Sequence, residues 1–172
     1  MPDVVVLDAS AALSVLRREP ERAQVVRILG EFADRRAEVL VPDLLWLEVA
    51  NVLIARYRYT PQQVVASIRL LDEFTIRTVP VDRPLWLLTL DRMQRHGLSA
   101  YDATYLALAE STNAAILTLD ARLALAAGTR AVGGDPHRIQ DASVEYVTAT
   151  PSAVWATFGA YLAELREADE AS

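Results

Sequence analysis

Short apolar runs alternate along the chain with longer stretches whose apolar residues recur at helical spacing. Val4-Val5-Val6-Leu7 is continuous and mostly β-branched, the pattern of a strand buried on both faces of a parallel sheet, and it stops at Asp8. Residues 9–17 predict a first helix, and Pro20 opens a second, to about residue 33, with Val25, Ile28, Leu29 and Phe32 on one stripe. A short strand at 39–41 precedes a long helix, opened by Pro42 and Asp43 and running to about residue 58. Thr60-Pro61 reads as an N-cap and first helical residue of a helix through 71, and 76–79 as a third strand. Residues 82–95 predict a helix with Trp86, Leu87 and Leu90 turned inward, and His96-Gly97 has the chemistry of a helix stop. A helix over 100–111, a buried strand over 115–119 ending at Asp120, and a short helix to 127 follow. Strands separated by helices, without hairpin signals, predict an α/β fold with a parallel sheet covered on both sides.

Beyond this body the pattern loosens. Residues 128–140 form a turn-rich stretch containing Gly133-Gly134-Asp135-Pro136, and 144–147 predict an edge strand. Thr150-Pro151 then caps a helix whose Val154, Phe158, Tyr161, Leu162 and Leu165 make one apolar stripe, before an acidic end at 168–172. The expected organisation is one main domain over 1–147, with 148–172 as a C-terminal helix and acidic tail packed on it or extending it.

Composition removes several chemistries. With 172 residues the chain can bury a core without staples, and it has no cysteine for thiolate catalysis, disulfides or sulfur-ligated metals. All 17 basic residues are arginine, so a lysine nucleophile, Schiff base or phosphate-binding lysine is excluded. The apolar start lacks a basic leader and is too short to span a bilayer, so a cytoplasmic protein with no membrane contact is expected. The net charge of −6 is uneven: residues 1–127 hold 14 Arg against 16 acids, and 128–172 hold 3 against 7. The main body therefore has arginines to spare for phosphates around an acidic centre, with Arg17, Arg18 and Arg22 as candidates and solvated helix faces as their competing role.

Four acids stand out. In an open parallel sheet, ligands bind outside the carboxyl ends of the strands, where Asp8 and Asp120 both fall. Each also suits the N-cap of the helix that follows it. Glu48 lies in Leu44-Leu45-Trp46-Leu47-Glu48-Val49-Ala50-Asn51-Val52-Leu53-Ile54, apolar on nearly every face, where an ionised carboxylate needs a metal or a paired arginine. Asn51 stands one turn later, able to orient it. Asp102 is the one charge in Ser99-Ala100-Tyr101-Asp102-Ala103-Thr104-Tyr105-Leu106-Ala107-Leu108-Ala109, and its position near a helix start also suits the helix dipole. Gathered together, such anions repel by roughly 4 kcal/mol per pair at about 4 Å and an effective dielectric near 20. An all-oxygen ligand set then points to Mg²⁺ or Mn²⁺ and to phosphodiester hydrolysis by metal-activated water. Ser10 and Thr118 stand two residues from Asp8 and Asp120, close enough to support a carboxylate or bound water. His96 and His137 are read as capping or surface residues.

Four blocks in order carry a family resemblance: Val6-Leu7-Asp8-Ala9-Ser10-Ala11, Glu48-Val49-Ala50-Asn51-Val52-Leu53, Tyr101-Asp102-Ala103-Thr104-Tyr105-Leu106-Ala107-Leu108-Ala109, and Leu117-Thr118-Leu119-Asp120-Ala121-Arg122-Leu123. Over about the first 127 residues the chain resembles the PIN domain family, and within it the VapC-type toxins of bacterial toxin–antitoxin pairs. That resemblance implies a three-layer α/β/α sandwich with a mostly parallel sheet of four to five strands, and an Mg²⁺- or Mn²⁺-dependent endoribonuclease. It implies Asp8 and Asp102 as principal metal ligands, Glu48 as a ligand or proton acceptor, and Asp120 as a fourth acid often acting through water. Ser10, Asn51 and Thr118 match its supporting polar positions. It further implies an RNA substrate, a homodimer and an inhibitory VapB-like antitoxin. The C-terminal helix departs from the family's short form.

Two other readings are open. An acidic-pocket phosphatase or phosphoacceptor domain also places acids at strand ends but normally needs a lysine, and the phosphatase wants an acid where Ser10 stands. A catalytically inactive PIN-like scaffold binding RNA or protein gains nothing from burying unpaired carboxylates.

Overall fold

The computed structural model describes residues 3–133. Five parallel strands form one sheet in the order β3-β2-β1-β4-β5. They are β1 (Val4–Leu7), β2 (Glu38–Pro42), β3 (Ile76–Val79), β4 (Ala115–Leu117) and β5 (Ala131–Val132). The helices are α1 (Ala9–Leu16), α2 (Arg22–Asp34), α3 (Leu44–Asn51), α4 (Pro61–Ile68), α5 (Arg83–His96), α6 (Ala100–Ser111) and α7 (Ala121–Ala127). With this strand order, the right-handed crossover rule assigns α1 to α4 to one face and α5 to α7 to the other; α1 packs on α2 and α3, and α6 on α5 and α7, as the expected three layers require.

Burial explains why β1 and β4 hold the centre. Val5, Val6 and Leu7 are covered on both faces, and Val5, Val6 and Leu7 pair with Ala115, Ile116 and Leu117 of β4. The two strands therefore end level with each other, which sets Asp8 beside Thr118. Helix α6 is buried without a break from Ala103 to Ala109; it packs on β1, β2 and β4 and is covered in turn by α5. The alanines let it approach the sheet closely, and Tyr105 fills the remaining depth.

Several local expectations are met through their predicted chemistry. Thr60 caps α4 in a reciprocal capping box with Gln63, and Pro61 takes the first helical position. Gly97, at φ 63°, ends α5 by donating its N–H to the Met93 carbonyl. Other boundaries move. Helix α2 begins at Arg22 rather than at Pro20, and α4 ends at Ile68. The long helix from residue 44 is regular only to Asn51; Val52–Arg56 is a π turn closed by Tyr57 N–H on the Val52 carbonyl. Strand β4 ends at Leu117; Thr118 N–H still donates to the Val132 carbonyl, after which Leu119 N–H turns to the Ser10 hydroxyl and Asp120 N–H to that of Thr118. The two-residue β5, read as loop from sequence, is too short to carry a period.

The expected inward face of α5 is wrong. Trp86, Leu87 and Leu90 are 47%, 53% and 41% exposed, whereas Leu85 and Thr89 are buried. This helix is apolar on more than one side, and its deepest stripe runs through Leu85, Thr89 and Met93. Thr89 is tolerated there because its hydroxyl donates to the Leu85 carbonyl and reaches the Thr104 hydroxyl. The edge strand at 144–147, the helix after Pro151, the boundary at 147 and His137 lie outside the described residues.

Candidate active site

Asp8 leaves β1 in an extended conformation and caps α1. Its Oδ2 takes three donors: the Ser10 N–H at 3.2 Å, the Ser10 hydroxyl, and the Thr118 hydroxyl at 2.8 Å. No donor among the described residues reaches Oδ1. Ser10 and Thr118 are also acceptors, for Leu119 N–H and Asp120 N–H, so two hydroxyls tie the β1–α1 turn to the β4–α7 turn. The carboxyl is only 3% exposed, and burial raises its pKa to about 6; the Ser10 and Thr118 hydroxyls pull it down and the charge of Asp102 pushes it up.

Asp102 is the third residue of α6. Its N–H donates to the N-cap hydroxyl of Ser99 at 3.1 Å, and that hydroxyl donates back to Oδ2 at 2.8 Å. Burial raises its pKa first; Ser99 opposes, Asp120 adds repulsion, and Arg122 relieves part of it. Asp120 caps α7, its Oδ1 accepting Leu123 N–H at 2.8 Å. Capping is thus a real role for Asp8 and Asp120, and it occupies one oxygen of each.

Glu48, on α3, is half-buried rather than sealed from water. Its Oε2 accepts the hydroxyl of Tyr105 at 2.9 Å. Burial raises its pKa to about 8, with Asp8 and then Asp102 adding repulsion against the opposing Tyr105 bond. Burial also drives the Tyr105 phenol upward, so it stays a protonated donor. Asn51, the expected support for Glu48, is exposed and makes no hydrogen bond to it among the described residues.

The fold brings Asp8, Glu48 and Asp102 within electrostatic reach of one another, and Asp120 within reach of Asp102. As placed, no three acidic or histidine side chains among the described residues stand close enough to hold a metal ion. Instead each carboxylate leans on its own neutral donor through one oxygen, leaving the other without a partner among the described residues. Like charges without a counter-ion are expected to settle this way. None of the six ion pairs among the described residues uses these four acids. Hard oxygen donors, the raised proton affinity of Asp8, Glu48 and Asp102, and the lack of an ion-paired guanidinium among the described residues together fit a divalent cation of the Mg²⁺ or Mn²⁺ kind.

The arginines fall elsewhere than expected. Arg17 is committed to Glu19 and lies over the Tyr57 ring at 3.3 Å, Arg18 is exposed, and the Nε of Arg22 is buried without a partner among the described residues. The cation that Asp102 feels is Arg122, exposed and tethered to the Gly97 carbonyl at 2.9 Å. Arg122, Ser99 and Tyr105 were not singled out from sequence. Their signals were present: Ser99 three residues before an acid at a helix start, Tyr105 as a phenol in an otherwise apolar run, and Arg122 two residues after Asp120.

The PIN domain family model matches residues 5–128. Ribonuclease VapC9 of Mycobacterium tuberculosis and a VapC ribonuclease of Mycobacterium bovis are each 34% identical over 122 residues, covering 70% of this chain and 88% of theirs. Among solved structures, VapC20 of Mycobacterium tuberculosis, a sarcin-ricin loop cleaving toxin, superposes with a TM-score of 0.59 at 17% identity, over 73% of this chain and 97% of that one. FitAcB from Neisseria gonorrhoeae gives 0.57 at 20%, over 78% and 99%, and a toxin–antitoxin complex from Klebsiella pneumoniae 0.54 at 17%, over 74% and 95%. The structural matches carry the fold; the family match along most of the chain, joined to the sequence identity with named ribonucleases, carries the assignment, and this chain belongs to the PIN domain family.

Proposed function

We propose that this protein is a VapC-type endoribonuclease whose Asp8, Glu48, Asp102 and Asp120 hold Mg²⁺ or Mn²⁺. The supporting observation is the set of buried and half-buried carboxylates at the end of β1 and on α3 and α6, which raise one another's proton affinity while no arginine among the described residues forms an ion pair with them. A bound divalent cation lowers the pKa of water, polarises a phosphoryl oxygen and steadies the leaving alkoxide. This chain's own part is positional. Ser10 and Thr118 fix Asp8, Ser99 fixes Asp102, and the Oε1 of Glu48, left free by the Tyr105 bond to Oε2, accepts the proton of the attacking water. Purified protein with Mn²⁺ or Mg²⁺ is expected to cut RNA, to stop in EDTA and to resume when the cation is restored. Cleavage that continues in EDTA, or no cleavage with any divalent cation, would refute the reading.

Arg122 is the phosphate contact this geometry favours over Arg17, which is already spent on Glu19 and Tyr57. Arg122→Ala is expected to weaken RNA binding uniformly across sequences and to flatten the plot of log affinity against log salt by about one unit. An unchanged salt slope would remove Arg122 from the interface. The partners we assign are an RNA substrate, a VapB-like antitoxin and a second copy of the chain. The exposed apolar face of α5, with Trp86, Leu87, Leu88 and Leu90, offers a surface suited to a protein partner. No helix among the described residues is long and apolar enough to cross a membrane, and with no cysteine the chain suits the cytoplasm we assign to it.

A further inference from the structure

We infer that Tyr105 is a positioning residue of this site, its hydroxyl committing Oε2 of Glu48 and so leaving Oε1 as the oxygen offered to cation or water. The inference rests on the reading of the four acids as a metal site. Tyr105 is wholly buried on α6, and its hydroxyl makes one hydrogen bond among the described residues, the 2.9 Å donation to Glu48. Phenylalanine would fill the same space, so packing explains the ring and leaves the oxygen unexplained. A buried phenol oxygen costs free energy unless paired, and here its partner is a carboxylate fifty-seven positions away in the chain. Glu48 has three rotatable side-chain bonds and no other donor among the described residues. Without Tyr105 it would turn freely toward water.

The placement also joins two elements of the site. Tyr105 stands one helical turn beyond Asp102, so α6 supplies one acid and the holder of another that α3 supplies. Asp8 is steadied by hydroxyls on either side and Asp102 by its own N-cap, which leaves Glu48 as the acid whose orientation depends on a single long-range contact.

The test is Mn²⁺ titration of the metal-free protein, followed calorimetrically, for wild type, Tyr105→Phe, Glu48→Gln and the double variant. Tyr105→Phe is expected to fold and to weaken Mn²⁺ binding about tenfold, as supporting hydrogen bonds to metal ligands commonly do. Glu48→Gln should weaken it at least as much, and adding Tyr105→Phe to it should cost nothing further, because the hydroxyl acts through that carboxylate. Wild-type affinity in Tyr105→Phe, or losses that multiply in the double variant, would overturn the inference. So would a Tyr105→Phe protein that fails to fold, since the oxygen would then belong to stability. A wild type that binds no Mn²⁺ would sink the metal-site reading itself, a different outcome from a wild type that binds and a variant that matches it.

Discussion

Asp8→Asn is expected to abolish RNA cleavage, by about 10³-fold or more, and at the same time to make the metal-free protein more stable at pH 8. The loss follows because an amide cannot supply the negative oxygen that holds a cation and the charge developing on the phosphate. The gain follows from the cost of an anion that is buried and surrounded by other acids. An asparagine oxygen still accepts from Ser10 and Thr118, so the three bonds on Oδ2 survive the change. The folded-state pKa of Asp8, about 6 against 3.8 unperturbed, sets the scale at on the order of 3 kcal/mol. The sign is that of a raised carboxyl: the folded state binds its proton more tightly than the unfolded chain. No penalty exists below about pH 4, and the full penalty exists above about pH 6. Thermal melts in EDTA should therefore show the variant ahead at pH 8 and level with wild type near pH 4. A variant that is less stable at pH 8, or that still cuts, would contradict the placement of Asp8 at a charge-crowded centre.

The same crowding should make divalent cations a pH-dependent stabiliser. Metal-free, Asp8 and Glu48 hold protons up to about pH 6 and about pH 8, so wild type in EDTA should lose stability as pH rises from about 4 to 8. A cation replaces those protons and must displace them to bind. Near pH 8 Asp8 has already lost its proton and Glu48 about half of its own; near pH 5 both groups resist. At a hundredfold excess over the dissociation constant, binding adds about 2.7 kcal/mol, worth roughly 5–10 °C in melting midpoint for a domain of this size. We expect that rise with Mn²⁺ at pH 8 and little of it at pH 5. An equal shift at both values would mean that the cation binds elsewhere.

What sequence could reveal divides along physical lines. The strand β1, the start of α4 and the end of α5 were legible because a continuous apolar run, a Thr-Pro N-cap and a C-terminal glycine are local properties. Asp8 and Asp120 stood out as acids at strand ends, and Glu48 and Asp102 as charges in apolar runs, where a charge demands a reason wherever its partner lies. The inward face of α5 was not, because Leu85, Trp86, Leu87, Leu88 and Leu90 make an apolar surface wider than one neighbour can cover. Which stripe packs is decided by α6, and the answer puts a threonine inside and a tryptophan outside. Asn51 and Tyr105 illustrate the same limit at the site. Helical spacing nominated Asn51 beside Glu48, but the contact that forms crosses from α3 to α6, and no spacing rule reaches fifty-seven residues. The π turn after Asn51 has no side-chain signature at all; its signature is one carbonyl taking an N–H five residues on.

The paired hydroxyls of Ser10 and Thr118 give the site two halves of unequal stiffness. On one side, short side chains lock two backbone turns to a single carboxylate oxygen, so that part of the cleft behaves as an anvil, dimensioned before anything binds. On the other, Glu48 reaches in on a longer arm braced at its tip. In the proposed metal site, accommodation of ions of different radius, and of a scissile bond as its geometry changes, would then fall to the braced arm while the anvil stays put.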